Sequence, residues 1–260
     1  MHVFIKKDYQ ELSRAAAAMV AAAIRERPDL VAALPTGGTP VGMLRELVRL
    51  HQTEGLDFSK ARILNIDEYV PLGPDHPQSY YRYLQEFLYQ NVNINQTNTF
   101  VPDVRAADLQ AACAAYDQRI AGLGGIDLMV LGIGGDGHIG FNEPAAELSA
   151  DTHVADLSAE TIRDNSRFFE TVAEVPRQAA TMGVGVILQA RKILLLASGR
   201  SKGAVINRLL TQRTVTPHFP ASLLLLHRDV TVMVDEAAAA AEIEGANEPT
   251  PVINERKLSG

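Results

Sequence analysis

Residues Gly132 to Pro144 read GIGGDGHIGFNEP, so Asp136, His138 and Glu143 lie on a glycine-rich loop directly after the apolar run Ile126 to Ile133. Five glycines within residues 132–140 allow tight turns and close approach of backbone to a ligand. The three polar side chains are of types that move protons near neutral pH. An isolated histidine on such a loop is most simply a structural one, bonded to nearby backbone. Two carboxylates beside it change that reading, because Asp136 and Glu143 can orient the imidazole as a proton shuttle. The spacing D-x-H-x-x-x-x-E matches no common zinc pattern, so acid–base chemistry without a metal is expected. Gly132, Gly134 and Gly137 also satisfy G-x-G-x-x-G. A dinucleotide site needs a helix straight after the third glycine, whereas Gly140, Asn142 and Pro144 suit a loop.

Three further polar motifs follow apolar runs. Thr36-Gly37-Gly38-Thr39 comes after Leu30 to Leu34 and before Pro40. Its N–H groups and two hydroxyls can hold a phosphate at a helix N-terminus, the bland alternative being a turn with Thr39 as cap. No lysine follows the glycines in the ATP-loop pattern, which favours a smaller phosphorylated ligand. Asp67-Glu68-Tyr69 comes after Arg62 to Ile66, and the alternation of a strand points the two carboxylates apart, so that one faces a ligand. A carboxylate there can take a proton from carbon beside a carbonyl. Ser198-Gly199-Arg200-Ser201-Lys202 comes after Lys192 to Ala197, and Lys202 can meet the same phosphate. Arg167, next to Phe168 and Phe169, can close over a ligand from a separate segment.

The elements that must position these groups are legible from periodicity. Short β-favouring runs at Val3 to Ile5, Leu30 to Leu34, Arg62 to Ile66, Ile126 to Ile133, Lys192 to Ala197 and Val230 to Val234 alternate with helical segments, which predicts a parallel α/β sheet flanked by helices. Asp8 is placed to cap a helix reaching about Arg27, Pro40 to open another at its first position, and Ser201 to Thr211 reads as amphipathic. Ligands of open parallel sheets bind beyond the carboxyl ends of the strands, so the four motifs should converge on one crevice. A single catalytic domain over 1–243 is expected, with a loosely ordered tail over 244–260.

At 260 residues and 47% hydrophobic content the chain can bury a large core. Its formal charge of −7 argues against a nucleic-acid backbone as main partner but not against a small anion. The single cysteine, Cys113, lies in an alanine-rich stretch and reads as buried and structural. Nothing resembles a secretory leader or an 18-residue apolar span, so a cytoplasmic protein without membrane contact is expected.

Taken together, LPTGGTP (34–40), NIDEY (65–69), HPQSYY (76–81), GIGGDGHIGFNEP, NSRFF (165–169) and TMGVG (181–185) resemble the glucosamine-6-phosphate deaminase family. The resemblance spans Leu34 to Asp235, and the FNEP continuation separates it from the related 6-phosphogluconolactonases. It implies a modified doubly wound, Rossmann-like sheet and conversion of D-glucosamine 6-phosphate to D-fructose 6-phosphate and ammonia, with no metal or organic cofactor. It further implies Asp67 as the base at C2, and His138 with Asp136 and Glu143 as the ring-opening group. Thr36, Gly37, Gly38, Thr39, Arg167 and Lys202 match the family's phosphate site, and about 152–181 its mobile lid. Members activated by N-acetylglucosamine 6-phosphate carry basic residues where this chain has His153 to Asp156, so weak or absent activation is expected, with oligomeric state, monomer or homo-oligomer, left open. The alternatives are a hydrolase or isomerase on another sugar phosphate, and a non-catalytic sugar-phosphate sensor.

Overall fold

The computed structural model describes residues 1–243; the tail expected over 244–260 lies outside the described residues. In chain order the elements are β1 (His2–Lys6), α1 (Tyr9–Glu26), β2 (Val31–Leu34), α2 (Val41–Glu54), β3 (Arg62–Asn65), β4 (Asp67–Val70), α3 (Tyr80–Phe87), β5 (Thr99–Phe100) and α4 (Leu109–Gly122). They continue with β6 (Leu128–Leu131), β7 (His153–Asp156), α5 (Ala159–Asn165), β8 (Gln178–Thr181), α6 (Val184–Leu188), β9 (Lys192–Ala197), α7 (Gly203–Thr211), β10 (Val230–Asp235) and α8 (Glu236–Ile243).

Seven strands form a parallel sheet in the order β1-β10-β9-β6-β2-β3-β5. Each central strand is buried on both faces, which explains its unbroken apolar sequence. In β2, Val31 and Ala33 join the core beneath α4, α6, α7 and α8, while Ala32 and Leu34 join the core beneath α1, α2 and α3. That alternation is the two-residue period of a strand read across two helical layers. All six expected strands and the helices from Asp8, Pro40 and near Ser201 are present. Asp8 caps α1 by accepting from the Glu11 N–H at 2.8 Å, a contribution of about 1 kcal/mol. Pro40 stands at the cap of α2 rather than inside its first turn, and Arg200–Lys202 form a separate 3₁₀ turn before α7.

A second sheet, β4-β8-β7, is antiparallel and has no counterpart in the periodicity of the sequence. The chain leaves the large sheet at Asn65 and enters the small one at Asp67, so Asp67 opens a new strand instead of ending the old one. Pairing across the chain decides this, since Asp67 opposes Thr181, more than 100 residues away.

Candidate active site

The strand order reverses between β2 and β6: from β2 the chain builds outward through β3 to β5, then returns to β6 on the other side and builds outward through β9 to β10. Such a reversal opens a crevice at the carboxyl ends of the strands. The Thr36–Thr39 loop follows β2 and the 132–144 loop follows β6, so they flank this point. Asp67 follows β3 and Lys202 follows β9, the neighbouring strands on either side. The sheet thus brings all four motifs to one edge.

Asp67 is buried, and among the described residues no hydrogen-bond donor or cation contacts its carboxyl. Burial, with the adjacent Glu68 charge adding to it, pushes its pKa up to about 8. Glu68 is turned the other way, as strand alternation requires. It accepts from the N–H groups of Tyr69, Tyr80 and Tyr81 and from the Ser79 hydroxyl at 2.7–3.0 Å, which ties β4 to the start of α3. Burial raises the Glu68 pKa against the lowering effect of those bonds. Beside Asp67, Tyr69, Tyr80, Phe141 and Phe169 form an aromatic wall with centroids 4.7–6.1 Å apart. Burial, with the neighbouring Tyr69 and Asp67 adding to it, holds the Tyr80 phenol well above its ordinary value. The HPQSYY motif contains Tyr80 but gives no sign of this wall, whose members are spread over residues 69–169.

In the 132–144 loop, His138 Nδ1 lies 2.8 Å from Asp136 Oδ1, out of line with the ring N–H, and the His138 backbone N–H donates to the same oxygen at 3.0 Å. Burial acts to raise the Asp136 pKa, but the nearby His138 side chain and its backbone N–H outweigh it and the carboxyl lies below its ordinary value. The imidazole packs over Gly134, where a Cβ would stand 2.3 Å from the ring, so only glycine leaves the ring this position. Gly137 has φ +93°, and a Cβ there would meet the Phe219 ring at 2.1 Å. Gly137→Ala therefore combines left-handed strain with overpacking, and we expect about 3 kcal/mol lower stability, read as a reduced urea midpoint. A midpoint equal to that of the parent would contradict this account.

Glu143 departs from the expected arrangement. Its carboxylate accepts from the Ser158 N–H at 3.1 Å and the Thr161 hydroxyl at 2.5 Å, at the start of α5, and among the described residues none of its hydrogen bonds is to His138. It fastens the 132–144 loop to the 152–181 segment. Lys202 donates to the Ile133 carbonyl at 2.7 Å. Burial lowers its pKa below the ordinary lysine value; Asp164 and Asp136 oppose that, and the positive charge of Arg167 reinforces it. Arg167 lies in a 3₁₀ turn with its guanidinium over the Phe168 ring. At the opposite end of the sheet, the buried Asp127 carboxylate pairs with the more exposed Arg27 and Arg191 and serves structure.

The fold and this edge define a doubly wound α/β enzyme with acid–base side chains and a glycine-rich loop at the carboxyl ends of its strands. The chain belongs to the glucosamine-6-phosphate isomerase/6-phosphogluconolactonase family, whose profile matches residues 6–233. A glucosamine-6-phosphate deaminase of Clostridium perfringens is 47% identical over 239 residues, covering 92% of this chain and 98% of that one. A solved monomeric glucosamine-6-phosphate deaminase superposes with a TM-score of 0.90 at 44% identity, covering 93% of this chain and all of that one. The 6-phosphogluconolactonase of Trypanosoma brucei, 24% identical with a TM-score of 0.74, covers 92% of this chain and 97% of that one and shares the fold.

Proposed function

We infer that this chain converts D-glucosamine 6-phosphate and water to D-fructose 6-phosphate and ammonia. The observation that carries the chemistry is the buried carboxyl of Asp67, its pKa raised to about 8 with no cation opposite it among the described residues, on the edge that also holds the Asp136–His138 pair. A base of that strength suits removal of a proton from carbon near neutral pH.

The residues divide the reaction into successive steps. His138, held by Asp136, delivers a proton to the ring oxygen as the pyranose opens and the C1 hydroxyl gives up its own. The exposed C1 aldehyde acidifies the C2–H bond, and Asp67 takes that proton. The enolamine so formed is reprotonated at C1, leaving an imine at C2. Water adds to the imine carbon, the C–N bond breaks and ammonia departs, which leaves the C2 ketone of fructose 6-phosphate. Glu143 holds the catalytic loop against α5 and so acts on His138 through the loop. The Thr36–Thr39 backbone and hydroxyls, Lys202 and Arg167 hold the phosphate. The segment 152–181 acts as a lid that brings Arg167 to it and excludes water; its bonds to Glu143 support that coupling.

Asp156 ends β7 and accepts from Gln178, so the segment offers a negative charge where an activator phosphate would need a positive one. Activity independent of N-acetylglucosamine 6-phosphate follows, and the similarity to a monomeric deaminase supports a monomer. No helix among the described residues is long and apolar enough to cross a membrane. A cytoplasmic location accords with one buried cysteine and a phosphorylated substrate.

Ammonia and fructose 6-phosphate should both be released from D-glucosamine 6-phosphate, equally with and without the acetylated sugar. Absence of turnover in both conditions would overturn the assignment. Lys202→Ala should raise KM roughly 10- to 100-fold, since a charged hydrogen bond to substrate is lost, and should weaken inhibition by inorganic phosphate in parallel. Unchanged KM in steady-state assays would remove Lys202 from the phosphate site.

A further inference from the structure

We propose that Tyr9 and Tyr83 are positioning residues that set the Thr36–Thr39 loop in its anion-binding form by holding three successive carbonyls from behind. This rests on the phosphate site proposed above and adds two residues from outside every motif. Tyr83, on α3, donates to the Gly37 carbonyl at 2.7 Å. Tyr9, at the start of α1, shares its hydroxyl proton between the carbonyls of Gly38 at 3.2 Å and Thr39 at 3.0 Å, and accepts from the Gly42 N–H at 2.8 Å.

In a planar trans peptide the C=O and the following N–H point in opposite directions. Holding the Gly37 oxygen therefore turns the Gly38 N–H away from Tyr83, and holding the Gly38 oxygen turns the Thr39 N–H away from Tyr9. The two tyrosines are neighbours, so both N–H groups face the other side of the loop. Among the described residues neither N–H donates to a protein group. Both stand just ahead of α2, a 14-residue helix whose N-terminus adds its own attraction for an anion. Burial, with Tyr9 alongside, raises the Tyr83 phenol well above its ordinary value, so it stays a neutral donor.

The hydroxyls are needed by a loop that otherwise has freedom to turn. Gly37 sits at φ +94° and glycine follows it, so the peptides between Thr36 and Thr39 can rotate at low cost. Rotation of either peptide would present an oxygen to the phosphate in place of an N–H.

The test uses the full-length enzyme with Tyr9→Phe, Tyr83→Phe, the double variant, and Tyr81→Phe as control. The Tyr81 hydroxyl contacts Gln96 and Thr99, away from the loop. KM for D-glucosamine 6-phosphate, kcat and the inhibition constant of inorganic phosphate are measured for each. We expect each loop variant to raise KM and the phosphate inhibition constant together by up to about tenfold, the double more, with kcat within about twofold and the control unchanged. The rise in melting temperature on adding phosphate should shrink in the same order, a readout that holds even for a less stable variant. Unaltered phosphate constants and melting increments in the double variant would overturn the inference while leaving the deaminase assignment intact. A parent enzyme that turns over but shows no phosphate inhibition would overturn the phosphate loop and this inference together; a parent without turnover would overturn the activity itself.

Discussion

Asp67→Asn should lower turnover of D-glucosamine 6-phosphate by about 10²- to 10⁴-fold, the range a positioned base contributes, while phosphate inhibition stays at the parent value. The amide keeps the shape of the carboxyl but cannot take the C2 proton. In the parent, kcat/KM should rise with pH through the titration of the free enzyme's base, with an acid limb near the value of about 8 held by Asp67. A limb near 4 would show that the carboxyl is not kept in the desolvated state seen here. The same substitution has an opposite effect on stability. The folded-state pKa of Asp67 is raised, so the folded protein binds a proton that the unfolded chain, ionising near 3.8, has already lost. Stability from this group is full below the unfolded value and is lost as pH rises through the window up to about 8. Asp67→Asn removes that loss. The variant should therefore melt above the parent, by more at pH 9 than at pH 5, with a gain on the order of a few kcal/mol at the alkaline end. Equal melting curves at both pH values would disprove burial of an ionisable group there.

His138→Gln should cost about 10²-fold in turnover, by loss of the proton relay at the ring oxygen. Glutamine can fill part of the space over Gly134 and still bond to Asp136, so the loop should keep its fold. An open-chain aminoalditol 6-phosphate bypasses ring opening and cannot react, and its affinity for the variant should equal that for the parent. Loss of that affinity along with turnover would mean that His138 binds substrate instead of opening the ring. Glu143→Gln is the informative companion. Glu143 touches Ser158 and Thr161, so its substitution should loosen the junction between the catalytic loop and α5 and raise KM as well as lower kcat. An effect on kcat alone, matching that of His138→Gln, would restore the direct partnership that the sequence suggests.

Part of this arrangement is legible in the sequence. The buried strand from Val31 to Leu34, the cap at Asp8 and the turn after β2 are set by residues within a few positions of one another. The DGHIGFNEP and TGGTP motifs fall after β6 and β2 as expected, because an apolar run ending in glycines admits little else. The small sheet escapes such a reading because β4, β7 and β8 are four-residue strands of mixed polarity whose pairing depends on distant segments. For the same reason periodicity joins Ile66 to the preceding strand and makes Asp67 its end, which the pairing with Thr181 corrects. Spacing also misleads at Glu143: a few residues of loop after His138 carry no fixed direction, and the N-terminus of α5 offers the carboxylate two better-aligned donors.

Local periodicity, caps and side-chain type are enough to define the parallel α/β class and the four polar loops at the carboxyl ends of its strands. They also give the acid–base character of one loop and the phosphate-sized character of another. Packing between distant segments is needed for the rest: that the Asp67 carboxyl is desolvated and its pKa raised, that Lys202 is half-buried against the Ile133 carbonyl, and that Tyr9 and Tyr83 grip a loop 29–46 residues away. Desolvation and charge proximity are sums over everything packed around a group, and that packing exists only once distant parts of the chain have met.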